Sequence, residues 1–173
     1  PIHGYNLPEL QNAYGLDKSS VIYTDFDWNR GLSREDLVEL FQIADFRIST
    51  SEGEGFGIPT IEAAMCECPQ ILNGVTNIPE ITNYDKFGYQ SAVKPAMAEA
   101  SKDVLYQVPN VEAMVELAAS RIPIAPDHMD SLSRLRCFAI DNYSDDAVVK
   151  KWLNLIDDTR LNESELTRKD GYM

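Results

Sequence analysis

Short β-branched or aromatic runs alternate along this chain with segments of helical period, a pattern that points to a mostly parallel sheet with helices on both faces. Val21-Ile22-Tyr23, Phe46–Thr50 and Pro69–Leu72 read as strands, with Tyr89–Val93 and Val104–Val108 as further candidates. Between them, Leu7–Leu16 reads as a helix with Leu7, Leu10, Ala13 and Tyr14 on one side, closed by Gly15. Ser33 and Asp36 form an S-x-x-D helix start ahead of Leu37, Leu40, Phe41 and Ala44. Pro59 opens a helix running to about Met65, and Asn77–Ile81 reads as a turn and a stub of helix. Asn110 caps a helix carrying Val111, Met114, Val115 and Ala118 on one face. A proline- and aspartate-rich loop, Pro123–Asp130, then precedes two closing helices at Ser131–Ile140 and Ser144–Asp157. Residues 158–173 read as a polar, frayed tail. A sheet of this kind usually opens with a buried strand, so one or two opening strands are expected upstream of Pro1. The unpaired edge would favour pairing with another chain, which leaves a homo-oligomer open.

A length of 173 residues gives room for one domain, and 44% hydrophobic with 25% charged residues fits a soluble globular chain. Net charge is -13, which argues against nucleic acid as a partner and against a basic membrane-surface helix. Cys66 and Cys68 lack a second cysteine or histidine pair at zinc-site spacing, and the histidines are His3 and His128. Three sparse cysteines read as small apolar thiols of a reduced, cytoplasmic protein, and no metal site is expected.

The stretch Ser51-Glu52-Gly53-Glu54-Gly55-Phe56-Gly57-Ile58-Pro59-Thr60-Ile61-Glu62-Ala63 joins a strand to a helix. In open α/β sheets, ligands bind beyond the carboxyl ends of strands, where this loop lies. Gly53, Gly55 and Gly57 are expected to allow close approach of the backbone and positive φ. Ile58, Thr60 and Ile61 are expected to offer unpaired N–H groups to an anion such as a diphosphate. The dinucleotide fingerprint G-x-G-x-x-G fails, since Ile58 occupies its third glycine position, and no lysine follows to complete a phosphate loop. The plain alternative is a tight turn before a helix, with Glu62 only complementing the helix dipole.

Glu54 and Glu62 stand in E-x7-E register, with Gly-Phe-Gly after the first glutamate and Ala-Ala-Met after the second. Here the chain resembles the family 4 glycosyltransferases of the GT-B fold, whose pattern is roughly S-x-x-E-G-F-G-x-P-x-x-E-A-M. Ala44-Asp45, Cys68-Pro69-Gln70-Ile71, Ile78-Pro79-Glu80-Ile81, Gly88 and the closing helix from Tyr143 to Ile156 extend the likeness over about residues 5–157. The resemblance implies the C-terminal, donor-binding half of a retaining GT-B enzyme. The implied reaction transfers a hexosyl group from a nucleoside diphosphate sugar to an acceptor hydroxyl, on a glycan, lipid or protein. It implies no cofactor and no metal, because the helix terminus and basic residues stabilise the leaving diphosphate.

By the same likeness, Glu62 would accept hydrogen bonds from the ribose hydroxyls, as a fixed carboxylate suits a vicinal diol. Gly55, Phe56 and Gly57 would present N–H groups to sugar and diphosphate, and Ile58, Thr60 and Ile61 would meet the phosphates at the helix start. Glu54 would lie beside the transferred sugar as the catalytic-site carboxylate. The loop Asp25–Gly31 would hold the base. Asp25-Phe26-Asp27 has the letters of a D-x-D metal motif and reads as a polar turn. The family's arginine and lysine pair and its N-terminal domain belong upstream of this chain. Arg30, Arg34 and Arg47 are the nearest basic residues, each read as a solvated or edge charge. Cys66-Glu67-Cys68 departs from the family's small-residue and glycine turn. Two rivals stay open: a catalytically inactive nucleotide-sugar-binding module, and a different Rossmann-like protein of response-regulator or NAD-binding type.

Overall fold

The computed structural model describes residues 6–20, 31–83, 86, 92–101, 104–121 and 126–169. The expected strand at Val21–Tyr23, the base loop from Asp25 to Arg30, and Gly88 lie outside these residues. The chain divides into two compact units, Pro1–Asp36 and Leu37–Met173, with the boundary inside a helix.

In the smaller unit, α1 spans Leu7–Ala13, with the Asn6 side chain accepting the Glu9 N–H at 3.3 Å and Gly15 turning left-handed after its end. The expected apolar side is turned outward, with Tyr14 78% exposed, while Gln11 is buried and donates from Nε2 to the Asp17 carbonyl at 2.8 Å. Among the described residues, this helix of two turns is held by its caps and the buried Gln11 amide. A 3-10 turn follows at Lys18–Ser20. Helix α2, Arg34–Ile43, starts as its S-x-x-D pattern requires, with Ser33 Oγ accepting the Asp36 N–H at 3.0 Å.

The larger unit is a Rossmann-like α/β arrangement. Strand β1 (Arg47–Ser49), helix α3 (Ile58–Met65), strand β2 (Gln70–Asn73), helix α4 (Ile78–Thr82) and strand β3 (Ala92–Val93) follow one another along the chain. The three strands are parallel in the order β1-β2-β3, with Ile48 opposite Ile71 and Leu72 opposite Ala92. Side chains alternate across a strand, so adjacent residues of β2 serve opposite faces. Leu72 packs with Ile61 and Ala64 of α3, Ile78 and Ile81 of α4, and Leu132, Leu135 and Ala139 from a later helix, α6 (Pro126–Tyr143). Ile71 packs with Val93 and Met114 on the other side. Met114 belongs to α5, Val111–Arg121, which starts under the Asn110 side chain as expected. Helices therefore cover both faces, and every residue of β2 is buried. At the edge, Ile48 of β1 stays 61% exposed.

Several boundaries differ from expectation. A second, antiparallel sheet pairs β4 (Ala96–Ser101) with β5 (Val104–Val108), and β4 was not foreseen because Ala-Met-Ala-Glu-Ala-Ser lacks β-branched residues. Helix α6 runs from Pro126 to Tyr143, so the last part of the expected loop at Pro123–Asp130 is helical, with proline in its favoured first-turn place. Helix α7 runs from Asp145 to Lys169, capped by Ser144 and continuing past Asp157 through the stretch expected to fray. That stretch is rich in good helix formers (leucine, glutamate, arginine), which propagate a helix once it is started. The Cys66–Cys68 turn is also tighter than its composition suggests. Glu67 takes φ +58°, Cys68 N–H donates to the Ala63 carbonyl and Glu67 N–H to the Ala64 carbonyl, which is the two-bond closure usually built on glycine.

Replacing Leu72 by alanine is expected to cost about 2–5 kcal/mol, since the cavity lies where three helices meet the sheet. Ile48→Ala, at the exposed edge, should change stability by no more than about 0.5 kcal/mol. Gly74→Ala should cost about 1–3 kcal/mol, because its Cβ would stand 2.9 Å from the Val93 carbonyl oxygen that accepts the Gly74 N–H. Urea denaturation of the three variants checks this order.

Candidate functional site

The loop from Thr50 to Gly57 leaves the carboxyl end of β1 and enters α3. Parallel strands share one carboxyl edge, so the segment after β2, Gly74–Asn77, emerges beside it. The helix entry is built on Gly57, which adopts φ +81° and ψ 43°. A Cβ there would lie 3.0 Å from Ile81 Cδ1 and in a region that disfavours L side chains. Gly53 and Gly55 differ from expectation. Neither is left-handed, and a Cβ on either would meet nothing within 4 Å.

The first turn of α3 also corrects the expected anion cradle. Thr60 N–H donates to the Gly57 carbonyl at 2.9 Å and Ile61 N–H reaches the same oxygen at 3.4 Å, so both are engaged within the helix. Both side chains are buried. Thr60 Oγ1 accepts from Arg47 at 3.2 Å, and the Thr60 carbonyl accepts from Gln70 Nε2 at 2.9 Å. Ile58 is different: it is exposed, and none of the described hydrogen bonds uses its N–H. Glu62 stands one turn later on the same face, because residues four apart on a helix are neighbours. Its side chain is half-buried and without a hydrogen-bond partner among the described residues. The solvent side of α3 thus carries Ile58 and Glu62, about 6 Å apart along the axis.

Arg47 is not the solvated charge that its sequence suggests. Its guanidinium donates to Gln70 Oε1 at 2.9 Å as well as to Thr60, on the inner side of α3. Gln70 is wholly buried in the central strand, and this pair of contacts satisfies both ends of its amide.

Three side chains, Asn73 at the end of β2 and Thr76 and Asn77 just after it, hold the glycine-rich loop, and none of them is among the residues expected at the site. Asn73 Nδ2 donates to the Ser51 carbonyl at 3.0 Å. Thr76 Oγ1 accepts the Glu54 N–H at 3.3 Å and donates to the Glu54 carbonyl at 3.1 Å. Asn77 Nδ2 donates to the Phe56 carbonyl at 2.8 Å, with the Gly55 carbonyl at 3.4 Å. The signal in the sequence is the clustering of short polar residues, Asn73, Thr76 and Asn77, at and just past the end of a strand. Such side chains bond readily to backbone.

Phe56 is half exposed, and its ring meets Tyr143 edge-on at 5.9 Å between centroids. Tyr143 in turn meets Phe138 at 6.0 Å, so the loop's aromatic tip rests on the end of α6. Burial, and then the nearby Glu80 charge, push the Tyr143 phenol above its ordinary range. Burial likewise raises the Cys68 thiol, consistent with a packed rather than a reactive sulfur. Among the described residues no group of three His, Cys, Asp or Glu side chains is placed to hold a metal ion. No helix among them is long and apolar enough to cross a membrane.

A curated relative, the serotype-specific mannosyltransferase WbdA of Escherichia coli, is 32% identical over 76 residues, which is 44% of this chain and 9% of that protein. A second protein of the same description matches to the same extent. The chain spans less than a tenth of the length of the curated relatives it matches. The family described as Glycosyl transferases group 1 matches residues 7–121, from α1 through α5. That match takes in the parallel sheet, the glycine-rich loop with Glu54, the helix with Glu62 and the segment that holds the loop, and the chain belongs to the group 1 glycosyltransferases.

Proposed function

We propose that this chain is the donor-binding half of a GT-B glycosyltransferase that takes a hexosyl group from a nucleoside diphosphate sugar and passes it to an acceptor hydroxyl with retention. The observation that carries the proposal is the shared face of α3, where the uncommitted Ile58 N–H and the half-buried Glu62 carboxylate stand one turn apart at the carboxyl edge of a parallel sheet. An N–H at a helix start suits a diphosphate oxygen, and a carboxylate suits a vicinal diol. The two residues stand about 6 Å apart along the helix axis, near enough for one nucleotide to reach both.

On this reading Glu62 accepts from the ribose hydroxyls, and Ile58 N–H meets the diphosphate. The N–H groups of Gly55, Phe56 and Gly57, which none of the described hydrogen bonds uses, complete the cradle in place of the engaged amides of Thr60 and Ile61. Glu54, held at the loop tip, contacts the hydroxyls of the transferred sugar. Leaving-group charge is met by backbone dipoles fixed before the reaction starts, the arrangement that contributes most when charge develops at a departing oxygen. The mannosyltransferase relative makes mannose the first sugar to test, with GDP- and UDP-linked donors side by side. The acceptor and the remaining wall of the cleft belong to a second domain, and positioning between two domains can supply about 7–11 kcal/mol of the barrier.

Glu62→Ala is expected to weaken donor binding by about 1.5–3 kcal/mol, the range for hydrogen bonds to a charged group, with thermal stability little changed. Calorimetric titration with UDP- and GDP-sugars checks it, and equal affinity in both proteins would reduce Glu62 to a surface charge. The reading also assigns no step to a divalent cation. Donor binding and turnover by the full-length protein should therefore survive EDTA. A tenfold fall, restored by magnesium or manganese, would overturn that assignment.

A further inference from the structure

Thr76 and Asn77 touch the loop through its backbone, and Thr76 Oγ1 also lies 3.2 Å from Asn77 Oδ1. Thr76 uses a single hydroxyl to engage both the N–H and the carbonyl of Glu54. Asn77 takes the carbonyls of Phe56 and Gly55. These bonds consume the carbonyls of Glu54, Gly55 and Phe56, while the N–H groups that share those peptide units, on Gly55, Phe56 and Gly57, stay uncommitted among the described hydrogen bonds. A peptide plane fixed by its oxygen presents its N–H in a set direction, since the two lie on opposite sides of a planar unit.

Thr76 also sits at φ +47°, a left-handed conformation that a β-branched residue enters rarely and at a cost. Glycine would occupy that position without strain. What threonine supplies there and glycine lacks is the hydroxyl that engages Glu54. Asn73 extends the same arrangement to the loop's start through the Ser51 carbonyl.

We infer that Thr76 and Asn77 are positioning residues that set the sugar and diphosphate end of the donor site, with Thr76 fixing Glu54 and the Gly55 amide and Asn77 aiming the Phe56 and Gly57 amides. The inference rests on the donor-site reading, and it divides the site in two. The loop held by Thr76 and Asn77 serves the sugar and diphosphate, whereas Glu62, carried by the packed helix α3, serves the nucleoside and does not depend on the clamp.

The test compares Thr76→Gly, Thr76→Ser and Glu62→Ala in the full-length protein, with GDP-mannose and UDP-glucose as donor probes and GMP and UMP as nucleoside probes. Thr76→Gly should leave the melting temperature unchanged or raised, because it relieves the left-handed strain. It should weaken donor-sugar binding by about tenfold, the scale of one to two lost hydrogen bonds, and leave nucleoside monophosphate binding unchanged. It should also speed hydrogen exchange at the Glu54 amide. Thr76→Ser, which keeps the hydroxyl, should restore both. Glu62→Ala should weaken donor sugar and monophosphate alike. Equal loss of sugar and monophosphate binding in Thr76→Gly, or an unchanged Glu54 amide, would overturn the positioning role while leaving the donor site standing. If Glu62→Ala leaves both kinds of probe unaffected, the donor-site reading fails, and the Glu54 amide in Thr76→Gly still decides whether Thr76 holds the loop.

Discussion

Strand β2 has no face open to solvent, and most of what the larger unit does follows from that burial. Leu72 requires a helical cover on one side and Ile71 requires one on the other. Burying a leucine or isoleucine contributes about 1.5–3 kcal/mol, so both faces are driven to close. Gln70 is buried in the same strand and carries an amide that must be satisfied there. Its partners are the Arg47 guanidinium and the Thr60 carbonyl, one on the neighbouring strand and one on α3. A polar residue in the centre of the sheet thereby fixes the rotation of α3, and the face bearing Ile58 and Glu62 is the one left to solvent.

The glycine-rich loop is supported from its ends and by the segment that leaves β2. Gly57 supplies the left-handed turn into the helix, packed against Ile81. Phe56 leans on Tyr143 at the end of α6. Asn73, Thr76 and Asn77 bond to the loop's backbone from the next strand's exit. None of these contacts uses the amides that would meet a ligand. A loop fixed in this way can present N–H groups without reorganising on binding, which is the condition for electrostatic stabilisation of a leaving group.

Part of this was legible in the residues. The S-x-x-D start at Ser33, the Asn110 cap and the proline at the head of α3 each name a helix start through local chemistry, and the helices begin there. The glycine-rich stretch between a strand and a helix marked the candidate site, and the E-x7-E register placed Glu54 and Glu62 on either side of the turn. Other features depended on distant partners. Arg47 looked like an edge charge because nothing near it in sequence accepts its hydrogen bonds, while its acceptors are thirteen and twenty-three residues away. Thr60 and Ile61 looked available because a helix start has spare N–H groups in general, whereas a left-handed Gly57 offers its own carbonyl to both. Strand β4 lacked any local preference and exists only through pairing with β5.

The sequence by itself determined the alternation of strands and helices, the place of the loop at a strand's carboxyl end, and the identity of its two carboxylates. These follow from periodicity, caps and spacing, which act over a few residues. Tertiary structure alone decided which amides remain uncommitted, which face of α3 meets solvent, and that Asn73, Thr76 and Asn77 hold the loop. Those outcomes turn on hydrogen bonds between segments about twenty residues apart, whose geometry exists only once β1 and β2 have paired in register and the core has closed around them.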